Sequence, residues 1–445
     1  MLGTLNALSS PSNGNKGVGQ PPSESPPVDS RDAAMNPVSE IALRRFIKSE
    51  CSPDGLPLLI ETIFERSDLT DTIRCLSKDD AQAFIDAADE TLGRFDLPSR
   101  TRANCLRQLY KTCGHHKLIP RSLEVFICYD RDGGPEYSGG YADVYKRQHC
   151  GKEIAVKVIR TCSKSDLRKV FAMFCKEFVT WKTLQHPHVL PLIGVNTSGA
   201  HFVMVSEWMN NGNINEFVKE NPDKNRLKLL GGVAKGLIYV HKQRMIHGDL
   251  KGANILIDQT GNALLADFGF LTIISNTASL FHSSSHAQGG TVRWMSPELL
   301  NPQQFGLDAS SPTVPSDCYA LGMVIYETIS GKPPFHKDQL DWAVMLKVLN
   351  GELPDRGVEF TDGLWTILER CWTPRAGERP GVGDVLRCLD TYSNLSVPSS
   401  PGMDIVWKSC PVPDPGRHVG RSSGRRILSP SWPGSRDRGP RTDFR

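Results

Sequence analysis

The stretch His247-Gly248-Asp249-Leu250-Lys251-Gly252-Ala253-Asn254-Ile255-Leu256, followed by Ala266-Asp267-Phe268-Gly269, constrains this chain more than any other feature. It sets two carboxylates, an amide and an ammonium among apolar residues that belong in a core. Charges that close to a core must face one another or a charged ligand, because burying them unpaired is strongly destabilising. Asp249 and Asn254 lie five residues apart and Asp267 thirteen further on. A fold that uses all of them has to bring two loops to one place.

Phosphoryl transfer asks for such a set. It needs a carboxylate to orient the attacking hydroxyl, oxygen ligands for hard Mg2+ and a cation near the γ-phosphate. Asp249 supplies the first, Asn254 and Asp267 the second, and Lys251 the third. Upstream, Lys157 sits in the apolar strand-like run Ile154-Ala155-Val156-Lys157-Val158 and must find a counter-charge there. Twenty residues on, Phe171, Phe174, Phe178 and Trp181 recur as the aromatic stripe of a helix that carries Glu177 beside it. A Lys157–Glu177 ion pair would aim the ammonium at the α and β phosphates of a polyphosphate ligand; a plain structural salt bridge is the alternative. The run Tyr137-Ser138-Gly139-Gly140-Tyr141-Ala142-Asp143-Val144 lies between two strand-like segments. Glycines at a hairpin tip let backbone N–H groups approach polyphosphate, and an ordinary hairpin turn explains them equally well.

The chain has 445 residues, 39% of them apolar, enough for a sizeable core. A net charge of +3 gives no reason to expect nucleic acid or a membrane surface as partner. No apolar run is long enough to span a bilayer, and Met1-Leu2-Gly3-Thr4-Leu5 lacks the basic and apolar regions of a secretory signal. Gly3 is out of place for myristoylation. Twelve cysteines run from Cys51 to Cys410 without a C-x-x-C pair, so neither a disulfide framework nor zinc is expected. The compartment reads as cytoplasmic, with the nucleus an alternative.

Residues 1–37 hold six Pro, four Gly and six Ser, and residues 393–445 eight, six and ten. Such segments cannot offset their ordering entropy, so both ends are expected to be disordered. The tail carries nine Lys and Arg against four Asp and Glu, which makes it basic and solvated. Residues 38–118 read as helical. Ser77 precedes Asp79 and Asp80 as a cap, Ile85, Ala88 and Leu92 follow at helical spacing, and Gly93 is the expected stop. A second stripe comprises Leu106, Leu109, Tyr110 and Cys113. This region is core, or else a surface for a partner or for the rest of the chain. From residue 124 short β-branched runs give way to longer helical patterns beyond 210, the order of a two-lobed α+β architecture.

Residues 124–391 resemble a eukaryotic protein-kinase domain. Further motifs carry the likeness: Gly290-Thr291-x-x-Trp294-Met295-Ser296-Pro297-Glu298, then Asp317-Cys-Tyr-Ala-Leu-Gly322, Cys371-Trp372 and Arg379-Pro380. The wording around Asp249 and Ser296 is similar to the tyrosine-kinase-like group, especially its fungal expansion, and Lys251 is similar to serine/threonine kinases. The resemblance implies an α+β kinase fold, with a small β-rich N-lobe and a larger helical C-lobe. It implies ATP and Mg2+ as cofactors and serine/threonine hydroxyls of proteins as substrates. It puts Val144 and Ala155 above the adenine and Leu256 below, Ser206 at the gatekeeper position, and Glu207 and Met209 at the hinge. It also implies a Glu298–Arg379 pair, an Asp317 brace under the catalytic loop, Thr291 as a positioning residue, and Trp181, Leu192, His247 and Phe268 as the apolar stack between the lobes.

Two departures stand out. Gly248 replaces the usual arginine that receives activation-loop phosphate, which weakens the case for gating through Ser283, Ser284 or Ser285. Aligning the glycine loop on Val144 leaves only Gly139 on a glycine position, with Tyr137 and Ala142 at the others. Other readings are a nucleotide-binding scaffold without transfer and a small-molecule phosphotransferase.

Overall fold

The computed structural model describes residues 43–44, 46–47, 56–66, 68–94, 97–127, 134–139, 142–160, 167–198, 201–267 and 291–395. Residues 1–37, Gly140, Phe268, Gly269, Ser283, Ser284, Ser285 and Gly290 lie outside the described residues, as does the tail from 396. The tail's first three positions, 393–395, belong to the last helix, so the helical part extends slightly past the expected boundary.

Ahead of the sheet stand helices α1 (Leu56–Phe64), α2 (Leu69–Arg74), α3 (Lys78–Arg94) and α4 (Ser99–His116). Ser77 caps α3: its Oγ accepts from Asp80 N at 3.1 Å and donates to the Asp80 carboxylate at 2.7 Å. Ile85, Ala88 and Leu92 are buried as their spacing implies. The helix does not stop at Gly93 but runs to Arg94. Gly93 has no positive φ, so it continues the helix at the small cost of a missing side chain. On α4, Leu109 and Cys113 are buried and Leu106 and Tyr110 half-buried, while Cys105 and Thr112 join the inner face. Phe46, Phe64 and Phe84 pack their rings 5.6–6.1 Å apart at the centre of this region.

An antiparallel sheet follows, built from β1 (Tyr137–Ser138), β2 (Ala142–His149), β3 (Lys152–Ile159), β4 (Leu192–Asn196) and β5 (Val203–Glu207) in the order β1-β2-β3-β5-β4. Strand alternation sends Ile154, Val156 and Val158 to one face, where they meet Tyr145, Val203 and Val205. Ala155 and Lys157 therefore point to the other face. Helix α5 (Leu167–Lys182) joins β3 to β4, with Phe171 and Phe174 against Phe202 at ring distances of 5.0 and 5.4 Å.

The larger part contains α6 (Ile214–Glu220), α7 (Arg226–Lys242), the pair β6 (Ile255–Ile257) and β7 (Ala263–Leu265), then α8 (Pro297–Leu300), α9 (Val314–Ser330), α10 (Asp341–Leu349), α11 (Asp362–Cys371) and α12 (Val382–Leu395). Helix α9 is buried from Ser316 to Thr328, which fits a sequence that is apolar on all sides. A Thr313–Ser316 capping box starts it and Gly331, at φ +70°, ends it. Where the two parts meet, α7 runs hard against His188, and a Cβ on Gly236 would stand 2.5 Å from the His188 carbonyl oxygen. Only glycine permits that approach. Among the described residues no helix is long and apolar enough to cross a membrane.

Candidate active site

Lys157 sits mid-strand on β3, opposite Val144 on β2 and Met204 on β5. Its Nζ lies 3.0 Å from Glu177 Oε1 and 2.7 Å from Asp267 Oδ1. Burial works to lower the ammonium's pKa, but the Asp267 and Glu177 carboxylates outweigh it and hold Lys157 charged. Burial pushes the Glu177 carboxyl up against the opposing pull of Lys157. At Asp267 the order reverses: burial would raise it, and Lys157 holds it below the usual carboxylate value. Asp267 follows β7 with φ +60°, a conformation L-residues other than Asn and Asp seldom adopt. The sheet, the helix and the second hairpin thus converge on one cation.

The loop after α7 brings in the second group. Asn254 Nδ2 donates to Asp249 Oδ2 at 2.9 Å and to the Asp249 carbonyl at 2.7 Å. Lys251 Nζ stands 3.0 Å from Asp249 Oδ2 and 3.1 Å from Thr291 Oγ1. Asp249 Oδ1 is buried and has no hydrogen-bond partner among the described residues. Beneath the loop, Asp317 on α9 accepts from the amides of His247 and Gly248 at 2.9 Å each and pairs with His241 Nε2 at 2.8 Å. Gly248 has φ +76°, so the residue that replaces an arginine relieves a strained backbone position. Further out, Arg379 grips Glu298 through two parallel hydrogen bonds of 2.7 Å, both side chains being almost wholly buried.

The cleft face of the sheet carries Val144, Ala155 and, paired across the ladder with Ala155, Ser206. Ser206 and Met209 are buried, Glu207 is exposed, and Leu256 bridges to Asn213 from below. Gly139 differs from its expected role. Its N–H donates to Ala142 O at 2.9 Å, so this amide closes the hairpin rather than standing free for phosphate. Of the apolar stack, Trp181 and His247 are buried and Leu192 half-buried, with Trp181 Nε1 donating to Leu190 O at 2.5 Å.

A sequence model described as "Protein kinase domain" matches residues 138–388, more than half of the chain. The chain belongs to the protein kinase family. Its fold is that of the family, a five-stranded N-lobe and a helical C-lobe, with a helical region ahead of them. The kinase domain is similar to "Serine/threonine-protein kinase STY46" of Arabidopsis thaliana, with 30% identity over 60% of this chain and 44% of the relative. It is similar also to "Serine/threonine-protein kinase STY17" of the same plant, at 26% identity over 71% of this chain and 55% of the relative. A third relative is the "Putative serine/threonine-protein kinase/receptor R831" of Acanthamoeba polyphaga mimivirus, at 29% identity over 56% of this chain and 15% of that protein. The chain spans about half the length of the two plant relatives.

The donor set of the kinase domain fits Mg2+ and a polyphosphate. Asn254 spends its amide nitrogen on Asp249, which leaves its carbonyl oxygen to face a cation, and Asp267 keeps a second oxygen beyond the one on Lys157. Among the described residues no group of three or more His, Cys, Asp or Glu could hold a metal alone. A site of two protein oxygens completed by phosphate and water is the usual way Mg2+ is held.

Sequence reasoning missed Glu327. Its Oε1 accepts from Asn215 Nδ2 at 2.8 Å, and its Oε2 accepts from Gly252 N at 3.1 Å and Trp294 Nε1 at 3.0 Å. One buried carboxylate therefore joins α6, the catalytic loop and the turn before α8. Burial raises its pKa to about 7, against the pull of the three donors. The signal was an acid set alone in the apolar run from Cys318 to Ile329.

Proposed function

We propose that the chain is an ATP- and Mg2+-dependent kinase that phosphorylates serine and threonine hydroxyls of proteins. The observation that carries this reading is the convergence of Lys157, Glu177 and Asp267 on one side of the cleft with Asp249, Lys251 and Asn254 on the other. Lys157, oriented by Glu177, binds the α and β phosphates. Asn254 and Asp267 hold Mg2+, which when bound neutralises charge on the phosphate oxygens. Val144, Ala155 and Leu256 enclose the adenine, with Ser206 leaving room behind it and the Glu207 and Met209 backbone meeting its edge. Gly139 shapes the hairpin over the phosphates.

Asp249 Oδ1, buried and without a partner among the described residues, accepts the proton of the substrate hydroxyl. The hydroxyl oxygen forms a bond to the γ-phosphorus while the bond from that phosphorus to the β–γ bridging oxygen breaks. ADP leaves with the electron pair, and Lys251 balances charge on the transferred group. Protein acceptors and the serine/threonine choice rest on family resemblance and on the names of the relatives, and a cytoplasmic or nuclear setting rests on the cysteine usage and the N-terminal sequence alone.

Transfer of radiolabelled γ-phosphate from ATP–Mg2+ to the chain itself and to a generic protein acceptor tests the reading, with Asp249→Asn alongside. Transfer to serine and threonine that falls by about a hundredfold or more in the variant supports it. ATP binding without transfer indicates a scaffold, which the departures in the glycine loop would favour. Transfer to a small alcohol or amino-sugar alone indicates a small-molecule phosphotransferase. Labelled tyrosine as the main product overturns the serine/threonine assignment.

A further inference from the structure

Helix α5, which carries Glu177, is covered on three sides. Its aromatic side meets the sheet through Phe202, and Glu177 faces Lys157. A third side carries Ala172, Cys175, Val179 and Lys182, spaced three, four and three residues apart on one helical stripe. Glu177 lies two residues from both Cys175 and Val179, about 200° round the helix, so it points away from that stripe.

The region before the sheet packs on the third side, where Cys175 and Val179 are buried and Ala172 stays exposed at the edge. A Cβ on Gly114 of α4 would stand 3.3 Å from the Cα and Cβ of Ala172, so the two helices touch backbone to backbone. Cys175 and Cys113 are both buried where the helices meet, and burial pushes the Cys175 thiol well above its ordinary pKa, which marks packing rather than reactivity. At the end of α5, Lys182 Nζ pairs with Asp89 of α3 and donates to Ser122 Oγ at 2.8 Å, and Ser122 Oγ donates to Asp89 at 2.6 Å. The segment after Ser122 then lies along β4, with Val125 N donating to Val195 O at 2.9 Å and Asn196 Nδ2 to Val125 O at 3.0 Å. A Cβ on Gly194 would come within 2.6 Å of Leu123 O. The helical region is thus fixed to the lobe at α5 and again at β4.

We propose that helices α3 and α4 form an intramolecular brace that holds Glu177 against Lys157, with Asp89, Gly114 and Ser122 as positioning residues that act through α5. The inference rests on the reading of Lys157 and Glu177 as the nucleotide-orienting pair. Its physical basis is that a helix free on its third side can roll or shift, and Glu177 then moves from its 3.0 Å contact.

The test uses the full chain with Asp89→Asn and Lys182→Met, which keep side-chain volume and remove the charge pair, and Lys182→Arg, which keeps it. Readouts are kcat and KM for ATP–Mg2+, ATP affinity by direct binding, and amide hydrogen exchange over 167–182 compared with 314–330. The expected result is a fall of about tenfold in kcat/KM for ATP in the two charge-removing variants. Faster exchange should be confined to 167–182, and Lys182→Arg should stay near wild type. A general loss of protection in both segments with kcat/KM unchanged per folded molecule overturns the proposal, as do variants within twofold of wild type with 167–182 unchanged. If the wild type transfers no phosphate, the reading of the site fails by itself, and ATP affinity together with exchange over 167–182 still decides whether the brace exists.

Discussion

Glu327→Gln probes the junction beneath the catalytic loop. The carboxyl is buried and its pKa rises from the ordinary 4.5 to about 7 on folding, with burial as the main cause. The folded form therefore holds the proton more tightly than the unfolded chain. The stability this contributes is fully present below pH 4.5 and is lost as pH rises through 7. At 1.36 kcal/mol per pKa unit, the change across that window is about 3 kcal/mol. The variant cannot ionise, so it lacks this dependence. It does meet Asn215, Gly252 and Trp294 with one acceptor oxygen where the acid has two, which costs about 1–3 kcal/mol. Urea unfolding at pH 4.5, 6, 7 and 8 gives the difference between wild type and variant, in which the other carboxylates cancel. Wild type should be the more stable protein at pH 4.5, and its advantage should shrink by about 3 kcal/mol by pH 8. A difference that stays constant across the series, or grows with pH, refutes the reasoning.

Two further perturbations bear on the same scaffold. Arg379→Ala should cost about 3–5 kcal/mol of unfolding free energy, because it strands the Glu298 carboxylate in a buried site and frees the carbonyls of Thr373 and Pro315. The double variant Glu298→Ala/Arg379→Ala should lose less than the sum of Glu298→Ala and Arg379→Ala, and additive losses in that cycle would count against a true buried pair. Gly248→Ala places a Cβ at φ +76° and should destabilise the chain by about 1–2 kcal/mol in the same urea assay. A change below about 0.5 kcal/mol would mean that the backbone there relaxes freely.

The legible part of the site is the part whose residues violate their surroundings. Lys157 in a β-branched run cannot be solvated where it stands, so its partner could be sought in the sequence by charge. Glu177 was found that way, and it pairs with Lys157. The direct contact of Lys157 with Asp267 was not foreseen, since it spans 110 residues and depends on how the two lobes close. At Gly139 the sequence left two readings open, a phosphate cradle and a plain hairpin turn, and the Gly139 amide satisfies its own hairpin, because an unpaired backbone donor there would forfeit a hydrogen bond. Gly93 was read as a stop from its place directly after the periodic apolar residues, but a glycine ends a helix only where the next turn needs a left-handed residue. At the end of α4 that residue is Lys117, at φ +56°.

The helical region was the least legible because nothing in it violates its surroundings. Ile85, Ala88 and Leu92 say only that α3 has a buried side, not what covers it. The informative residues lie in the other partner, on α5. A helix that buries an aromatic stripe and a charged glutamate already has two sides accounted for, and Cys175 and Val179 make a buried, small and apolar third, with Ala172 at its exposed edge. Such a helix cannot leave that side to water without losing the burial of its apolar surface, and small residues there admit another backbone at close range. Gly114 is the matching small residue, and Asp89 supplies the counter-charge for Lys182 at the stripe's end. The complementarity was present in the sequence as two half-patterns some sixty to ninety residues apart, each unremarkable alone. What joins them is α5: the helix whose Glu177 pairs with Lys157 also packs on Gly114 and pairs with Asp89 through Lys182, so the region ahead of the kinase domain reaches the Lys157 ion pair through one helix.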